Sequence, residues 1–237
     1  MSTVRGARER ARTEITAAIK DEARRQLAAE GAAKLSLRAV ARELGMASSA
    51  LYRYFPSRDD LLTALIVDAY DSLGAAAEAA HARTTATATA SPRACWLAVC
   101  RAVRAWALAH PHEYALIYGS PVPGYAAPAS TVAPASRVGL VLIAIVRSAH
   151  QGPGLALPPL APALRPEAER MVADFAPGLP PQVAPALVAA WAQLVGLVSF
   201  ELFGQFHRVV EEREAFFDHA AERLAHEVGL PVPPPAR

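Results

Sequence analysis

Apolar positions in the first thirty residues recur every four: Ile15, Ile19, Ala23 and Leu27 share one face between charged neighbours, the period of an amphipathic helix. That spacing predicts a helix from about Arg8 to Glu30, ended by Gly31. Ser36 stands where an N-cap belongs for a short helix over 37–44, and a second short helix is expected over 48–54. Pro56 then breaks the chain. Ser57, with Asp60 three residues on, forms a capping box for a long helix reaching about His81, with Leu61, Leu62, Leu65, Ile66, Ala69 and Leu73 turned inward. The Thr- and Ala-rich stretch 83–92 has no apolar stripe and reads as a loop. Further helices are expected over 93–109, 112–118, 134–149, 185–206 and 211–228, and the proline-rich stretch 151–185 as an irregular connection with a helical turn or two near 167–173. No segment alternates with the period of a strand, so the chain reads as all α, without internal repeats.

Composition adds the room for a core: 237 residues, 53% of them hydrophobic, suffice for one large helical domain or a small domain joined to a larger one. Charge adds an asymmetry. The first 58 residues carry 12 Lys and Arg against 6 Asp and Glu, while the remaining residues carry 12 against 16, so the end that would meet a polyanion is the N-terminal one. The opening "MSTVRGARERARTE" has no apolar run of a secretory signal, and a cytoplasmic protein is expected. Cys95 and Cys100 lie five apart on one helix, a spacing that forbids a disulfide, and read as core thiols. The segment 187–206, "LVAAWAQLVGLVSFELFGQF", is membrane-like in hydropathy, but Gln193, Glu201 and Gln205 interrupt it and Pro185 stands just before it. A helix apolar nearly all round in a soluble protein must instead be covered on both sides, by its own core and often by a partner subunit.

The chemistry lies in "LRAVARELGMASSALYRYF", residues 37–55. Ala41, Gly45 and Leu51 supply what two steeply crossing helices need: a small residue at the contact, a glycine able to take positive φ in the turn, and an apolar pin. Val40 and Leu44 fill the space between. This is helix-turn-helix spacing in a basic setting, and a bare αα-corner is the alternative. With Leu51 and Phe55 inward, Ser48, Ser49, Tyr52, Arg53 and Tyr54 face outward. Solvent alone does not call for two tyrosines there, whereas hydroxyls bond phosphates and arginine forks onto guanine. Arg58, and Ser36 with Arg38, would grip the flanking backbone.

These residues, and above all "ALYRYFPSRDDLLTAL" at 50–65, resemble the TetR family of bacterial transcription regulators. The stretches 104–128 and 191–206 are similar to a regulatory domain with a Trp-His-Gly-type signature in one branch of that family. The resemblance implies a three-helix DNA-binding head (8–56), a linking helix (57–82) and an all-helical effector-binding and dimerisation domain (83–230), with a disordered tail at 231–237. By the same resemblance Tyr52 matches a phosphate-binding tyrosine, Arg53 and Tyr54 base- or backbone-contacting positions, and Arg58 the basic residue opening the linking helix. Ala47 stands where a Ser or Thr cap is common, and Ser48 offers a substitute cap. The implied partners are a double-stranded DNA operator, a second copy of the chain and a small-molecule effector, with no cofactor.

Toward the C-terminus, Leu194, Leu197, Val198, Phe200, Phe216, Phe217 and Leu224 are the expected dimer interface. Trp96, Trp106, His110, Tyr114, Tyr118, Tyr125 and Trp191 are candidates for an apolar effector pocket, against the alternative that aromatics at helical spacing are plain core. His110, His112 and Glu113 cluster in sequence, but Pro111 breaks the helix and no zinc-binding spacing occurs, so no metal is expected. An all-α enzyme or carrier would be the rival reading, yet no nucleophile–base pair or phosphate-cradling glycine loop is found. The expectation is therefore a ligand-responsive dimeric repressor rather than an enzyme.

Overall fold

A computed structural model describes residues 2–88 and 90–231, and among these every regular element is helical. The order is α1 (Ser2–Glu30), α2 (Leu37–Glu43), α3 (Ser48–Leu51), α4 (Arg58–Thr85), α5 (Pro92–Ala109), α6 (Pro111–Tyr118), α7 (Val132–Gln151), α8 (Arg165–Phe175), α9 (Val183–Leu202) and α10 (Arg213–Glu227), with 3-10 turns at Ala32–Lys34, Ala129–Thr131 and Pro162–Leu164. From residue 232 on, the expected tail lies outside the described residues.

Packing divides the chain into two units: Met1–Asp71 with His110–Ala135, and Ser72–Ala109 with Ser136–Arg237. Helix α6 and the segment after it therefore pack with the head, a grouping the linear partition of the sequence did not anticipate. The first unit is built on a core of Ile19, Ala23 and Leu27 from α1, Val40 and Ala41 from α2, Leu51 and Phe55, and Leu61, Leu62, Leu65 and Ile66 from α4. In the second unit α10 packs on α5 and α9, enclosing Trp96, Val99, Cys100, Leu194, Val198 and Ala221. Both cysteines are free and buried, and burial pushes the Cys100 thiol up to about 12.

Helix α1 starts at Ser2 rather than about Arg8, and four further boundaries differ from the expected ones, each for a local reason. Helix α4 continues past His81 to Thr85 because the Thr84 and Thr85 hydroxyls bond back to the Ala80 and His81 carbonyls at 2.9 and 2.8 Å, which keeps threonine in the helix. Helix α8 has three turns rather than one or two: Pro166 sits in its first turn and Arg170 is tied to Glu167 and Asp174. Helix α3 ends at Leu51, and residues 52–54 form turns. Helix α9 stops at Leu202 rather than Phe206. Gly204 adopts φ 79°, the Gln205 amide donates to the Phe200 carbonyl at 2.9 Å and the Gly204 amide to that of Glu201 at 3.4 Å, a Schellman ending.

Helices α7 and α9 are both long and apolar enough to cross a membrane by length and composition. In this fold Glu201, the charge within α9, is buried and bidentate to Arg104 of α5, both bonds 2.7 Å. Arg104 also lies 5.4 Å over the Phe217 ring of α10, so one guanidinium holds three helices together.

Candidate nucleic-acid interface

Helix α2 opens on Ser36, whose Oγ accepts from the Ala39 amide at 3.4 Å, and closes on Gly45 at φ 63°. The Met46 amide donates to the Ala41 carbonyl at 2.8 Å and the Gly45 amide to Arg42 at 3.1 Å, the same Schellman pattern. The turn thereby points the chain into α3. Leu51 is fully buried and Phe55 nearly so, and the Phe55 amide donates to the Leu51 carbonyl at 3.1 Å. With that side pinned, Ser48, Ser49, Tyr52 and Arg53 are exposed, Tyr52 at 42%. Arg38 at the start of α2 is exposed as well. Ser57 completes the capping box for α4: its hydroxyl accepts from the Asp60 amide at 3.1 Å and donates to the Asp60 carboxylate at 2.7 Å.

Three residues stand differently from expectation. Tyr54 is half-buried against the head core, and its ring lies beneath Arg12 of α1 at 5.7 Å, so its face is turned from solvent. Arg58 does not reach outward. Its guanidinium donates to the carbonyls of Ala32 (2.8 Å), Ala33 (3.3 Å) and Leu35 (3.2 Å), clasping the α1–α2 connection, where the Ala32 carbonyl also accepts from the Leu35 amide at 3.3 Å. Ser48 is not the cap of α3: the N-cap position is Ala47, which makes no side-chain bond, and Ser48 is the first helical residue. Its hydroxyl is left at the exposed end of the helix.

The head is fastened by a charge network that no local spacing announces. Asp68 of α4 accepts from Lys20 (2.8 Å) and Arg24 (2.7 Å) of α1, and Arg24 also pairs with Glu113 of α6 at 3.0 Å. Tyr125 bonds Thr63 at 2.9 Å, and the Tyr70 hydroxyl donates to the Ile117 carbonyl at 3.4 Å. The separations in sequence, 44 or more residues, are why periodicity alone could not find these pairs.

The seven effector-pocket candidates divide between the two units. Tyr114 and Tyr118 of α6 sit 5.1 Å apart by ring centroids, and Tyr118 packs edge-on to Tyr70 of α4 at 6.0 Å. Burial raises the Tyr118 phenol well above its ordinary value and that of Tyr70 above it, so both stay neutral hydrogen-bond donors. His110 and Tyr125 belong to the same unit, whereas Trp96, Trp106 and Trp191 belong to the other. Trp96 is fully buried and its indole donates to the Ala221 carbonyl at 3.2 Å, so its role is core packing. Trp106 donates to the Ser72 hydroxyl at 2.9 Å. A cavity of about 450 Å³ in the head unit is lined instead by Leu27, Ala32, His112, Leu116, Pro121 and Val122.

Of the residues expected at a dimer interface, Leu194, Val198, Phe217 and Leu224 are buried in the chain's own core, since α9 and α10 turn them toward each other and toward α5. The outward apolar surface is Leu197, Phe200 and Phe216, joined by Gly196 and Phe206, over a groove of about 460 Å³. Phe200 is 54% exposed. Phe206 stacks edge-on between Phe200 and Phe216, with centroids 5.7 and 5.5 Å away.

Comparison with known proteins agrees with this geometry. Residues 19–65 match the family model described as "Bacterial regulatory proteins, tetR family", and residues 96–224 that of the "Tetracyclin repressor-like, C-terminal domain". The chain is 43% identical over 206 residues to the HTH-type transcriptional regulator Rv1816 of Mycobacterium tuberculosis, covering 85% of this chain and 86% of that one. Among solved structures, SCO4313, a protein described as regulatory, superposes with a TM-score of 0.77 at 34% identity over 92% of this chain and 98% of its own. RolR, solved with its ligand resorcinol, shares the fold at 13% identity, with a TM-score of 0.53 over 96% of this chain and 100% of its own. A capped helix-turn-helix bearing an exposed polar face, joined to an all-helical C-terminal part, thus has its explanation: the chain belongs to the TetR family of bacterial transcription regulators and is a DNA-binding regulator, not an enzyme.

Proposed function

We propose that this regulator is a ligand-responsive homodimeric repressor of the cytoplasm, which holds a palindromic operator through α3 and releases it when a small molecule binds. The observation that carries the reading is the exposed row Ser48, Ser49, Tyr52 and Arg53, on α3 and the turn that follows it, a segment whose other side is pinned by Leu51 and Phe55. Arginine can fork onto a base edge, while the hydroxyls suit phosphate oxygens. Ser36 and Arg38, at the start of α2, are the proposed flanking contacts. Dimerisation is supported by the apolar surface of half-buried Leu197 and exposed Phe200 and Phe216, large side chains that favour burial against a second copy. Two heads about 34–36 Å apart then match successive half-sites of a palindrome.

An effector acts only by binding the DNA-incompetent state more tightly than the DNA-bound one. Tyr114, Tyr118, Tyr125 and His110, which belong to one packed unit, are the residues we assign to its recognition, and α4, on which Tyr118 packs through Tyr70 and to which Tyr125 bonds through Thr63, is the element whose movement would carry the signal toward α3. That RolR, which shares the fold, was solved with the ligand resorcinol supports a small-molecule effector for this chain. The test is selection of the purified protein on a random-sequence duplex pool at about 0.15 M salt, where non-specific contacts are already weakened. Enrichment of a palindrome supports a dimeric operator reader. Enrichment of a single half-site removes the dimer from the reading, and no enrichment by a folded protein removes the operator.

A further inference from the structure

Helix α1 begins well before the head core does. Ile19 is fully buried and Ile15 half-buried, and the turns N-terminal to them carry Arg8, Arg10 and Arg12, all exposed. At about 100° per residue, Ile15, Arg12 and Arg8 all fall within about 40° of the direction of Ile19. The face that is buried against the head at Ile19 thus continues as arginine once the helix has passed the core. Arg10 lies about 180° away, and Glu9 and Glu14 lie about 80° and 140° off that line. A contact fixes where this face points: the Arg12 guanidinium sits over the ring of Tyr54, which directly follows Tyr52 and Arg53. One helical turn farther, about 6 Å along the axis, Arg8 lies on the same face of α1 as Arg12, next beyond the contact with the segment that carries Tyr52 and Arg53. It makes no hydrogen bond or ion pair among the described residues.

From this register we infer that the first turns of α1 form a second DNA contact, in which Arg8 binds a backbone phosphate beside the segment occupied by α3 and Arg12 is held ready by its stacking on Tyr54. The inference rests on the reading of α3 as the DNA-contacting element. A phosphate contact adds affinity and salt dependence without adding sequence preference, because the phosphate is common to every base pair. The opposite placement of Arg10 supplies a control of identical charge on the same helix.

The experiment compares full-length wild type, R8A and R10A on the duplex enriched from a random pool and on a shuffled duplex of equal length, titrating salt. Each lost phosphate contact lowers the slope of log affinity against log salt by about 0.9. R8A is expected to lose about one such unit on both duplexes, to weaken binding several-fold at about 0.1 M salt, and to lose one phosphate position per half-site in an ethylation-interference pattern. R10A should retain all three properties of wild type. Both arginines are exposed, so the variants should fold alike, which circular dichroism checks. If R8A keeps the wild-type slope and interference pattern, or if R8A and R10A fall equally, the contact does not exist although α3 still reads DNA. If wild type itself enriches no duplex and binds without salt dependence, the reading of α3 fails and this inference falls with it.

Discussion

Arg53 and Tyr52 are neighbours with different expected tasks, and the difference is measurable. A bidentate arginine–base pair is worth about 1–3 kcal/mol of discrimination, so Arg53→Ala should relax preference at one position of each half-site. Tyr52→Phe removes a single hydroxyl and should weaken binding evenly across sequences, by about 0.5–1.5 kcal/mol. Competition between duplexes that differ at single positions separates the two patterns; the reverse pattern would exchange the roles. Arg58 belongs to stability instead. Removing its three carbonyl contacts takes the guanidinium clasp from the α1–α2 connection, and Arg58→Ala should lower the melting temperature at a cost of about 1–3 kcal/mol. A variant that melts like wild type but loses DNA affinity would restore Arg58 to the interface. This residue also marks a limit of the sequence. Its position at the start of α4 was legible, but the carbonyls it clasps lie 23 to 26 residues away and no local pattern encodes them. Tyr54 was misplaced for a related reason: three consecutive polar tips at 52–54 read alike when α3 is drawn as one regular helix, and only the turn after Leu51 tips the third ring under Arg12.

Elements were legible wherever a stripe met a stop signal. The apolar row of α4, the Ser57–Asp60 cap and the glycine turn after α2 all stand where their spacing placed them. Signals of the same kind were available and unread at the end of α9, where Gly204 terminates a helix whose apolar composition runs on to Phe206. Helix crossings were not legible, because they depend on which faces meet. Gly74 of α4 is one: a Cβ there would stand 2.7 Å from the Cβ of Arg137 on α7, whose guanidinium is bidentate to Glu78. Gly74→Ala should therefore cost about 1–3 kcal/mol through overpacking, despite alanine's better helix propensity. Gly139→Ala, where a Cβ meets no neighbouring atom within 4 Å, should be neutral or stabilising. Thermal melting of the pair decides the matter, and equal melting temperatures would mean that α4 and α7 do not cross closely at Gly74.

At the scale of the whole molecule, two partly exposed ion pairs in the C-terminal unit make a small acid-sensitive contribution to stability. Hydrogen bonding by Arg137 holds the Glu78 carboxyl below its ordinary value, and Arg101 does the same for Asp218. Groups depressed in the folded state stabilise above their unfolded values and lose that contribution as pH falls through the folded ones. The melting-temperature gap between wild type and Asp218→Asn should thus be open at pH 6 and close as pH drops below the ordinary carboxylate range; being partly exposed, the pair should give a small gap. A gap that widens on acidification would contradict the assignment. The α9–α10 surface makes a larger claim. Phe200→Glu places a charge on an exposed site that the protomer's own core does not use, so it should leave the fold intact and yield a monomer by sedimentation; a dimer of unchanged affinity would put the interface elsewhere. The most direct test of the account is the preference profile of wild type against that of Arg53→Ala, both selected from one random duplex pool. The expected result is a palindrome for wild type and, for the variant, relaxed preference at one symmetric position in each half. Identical profiles would contradict the claim that the exposed row on α3 and the turn after it reads the operator.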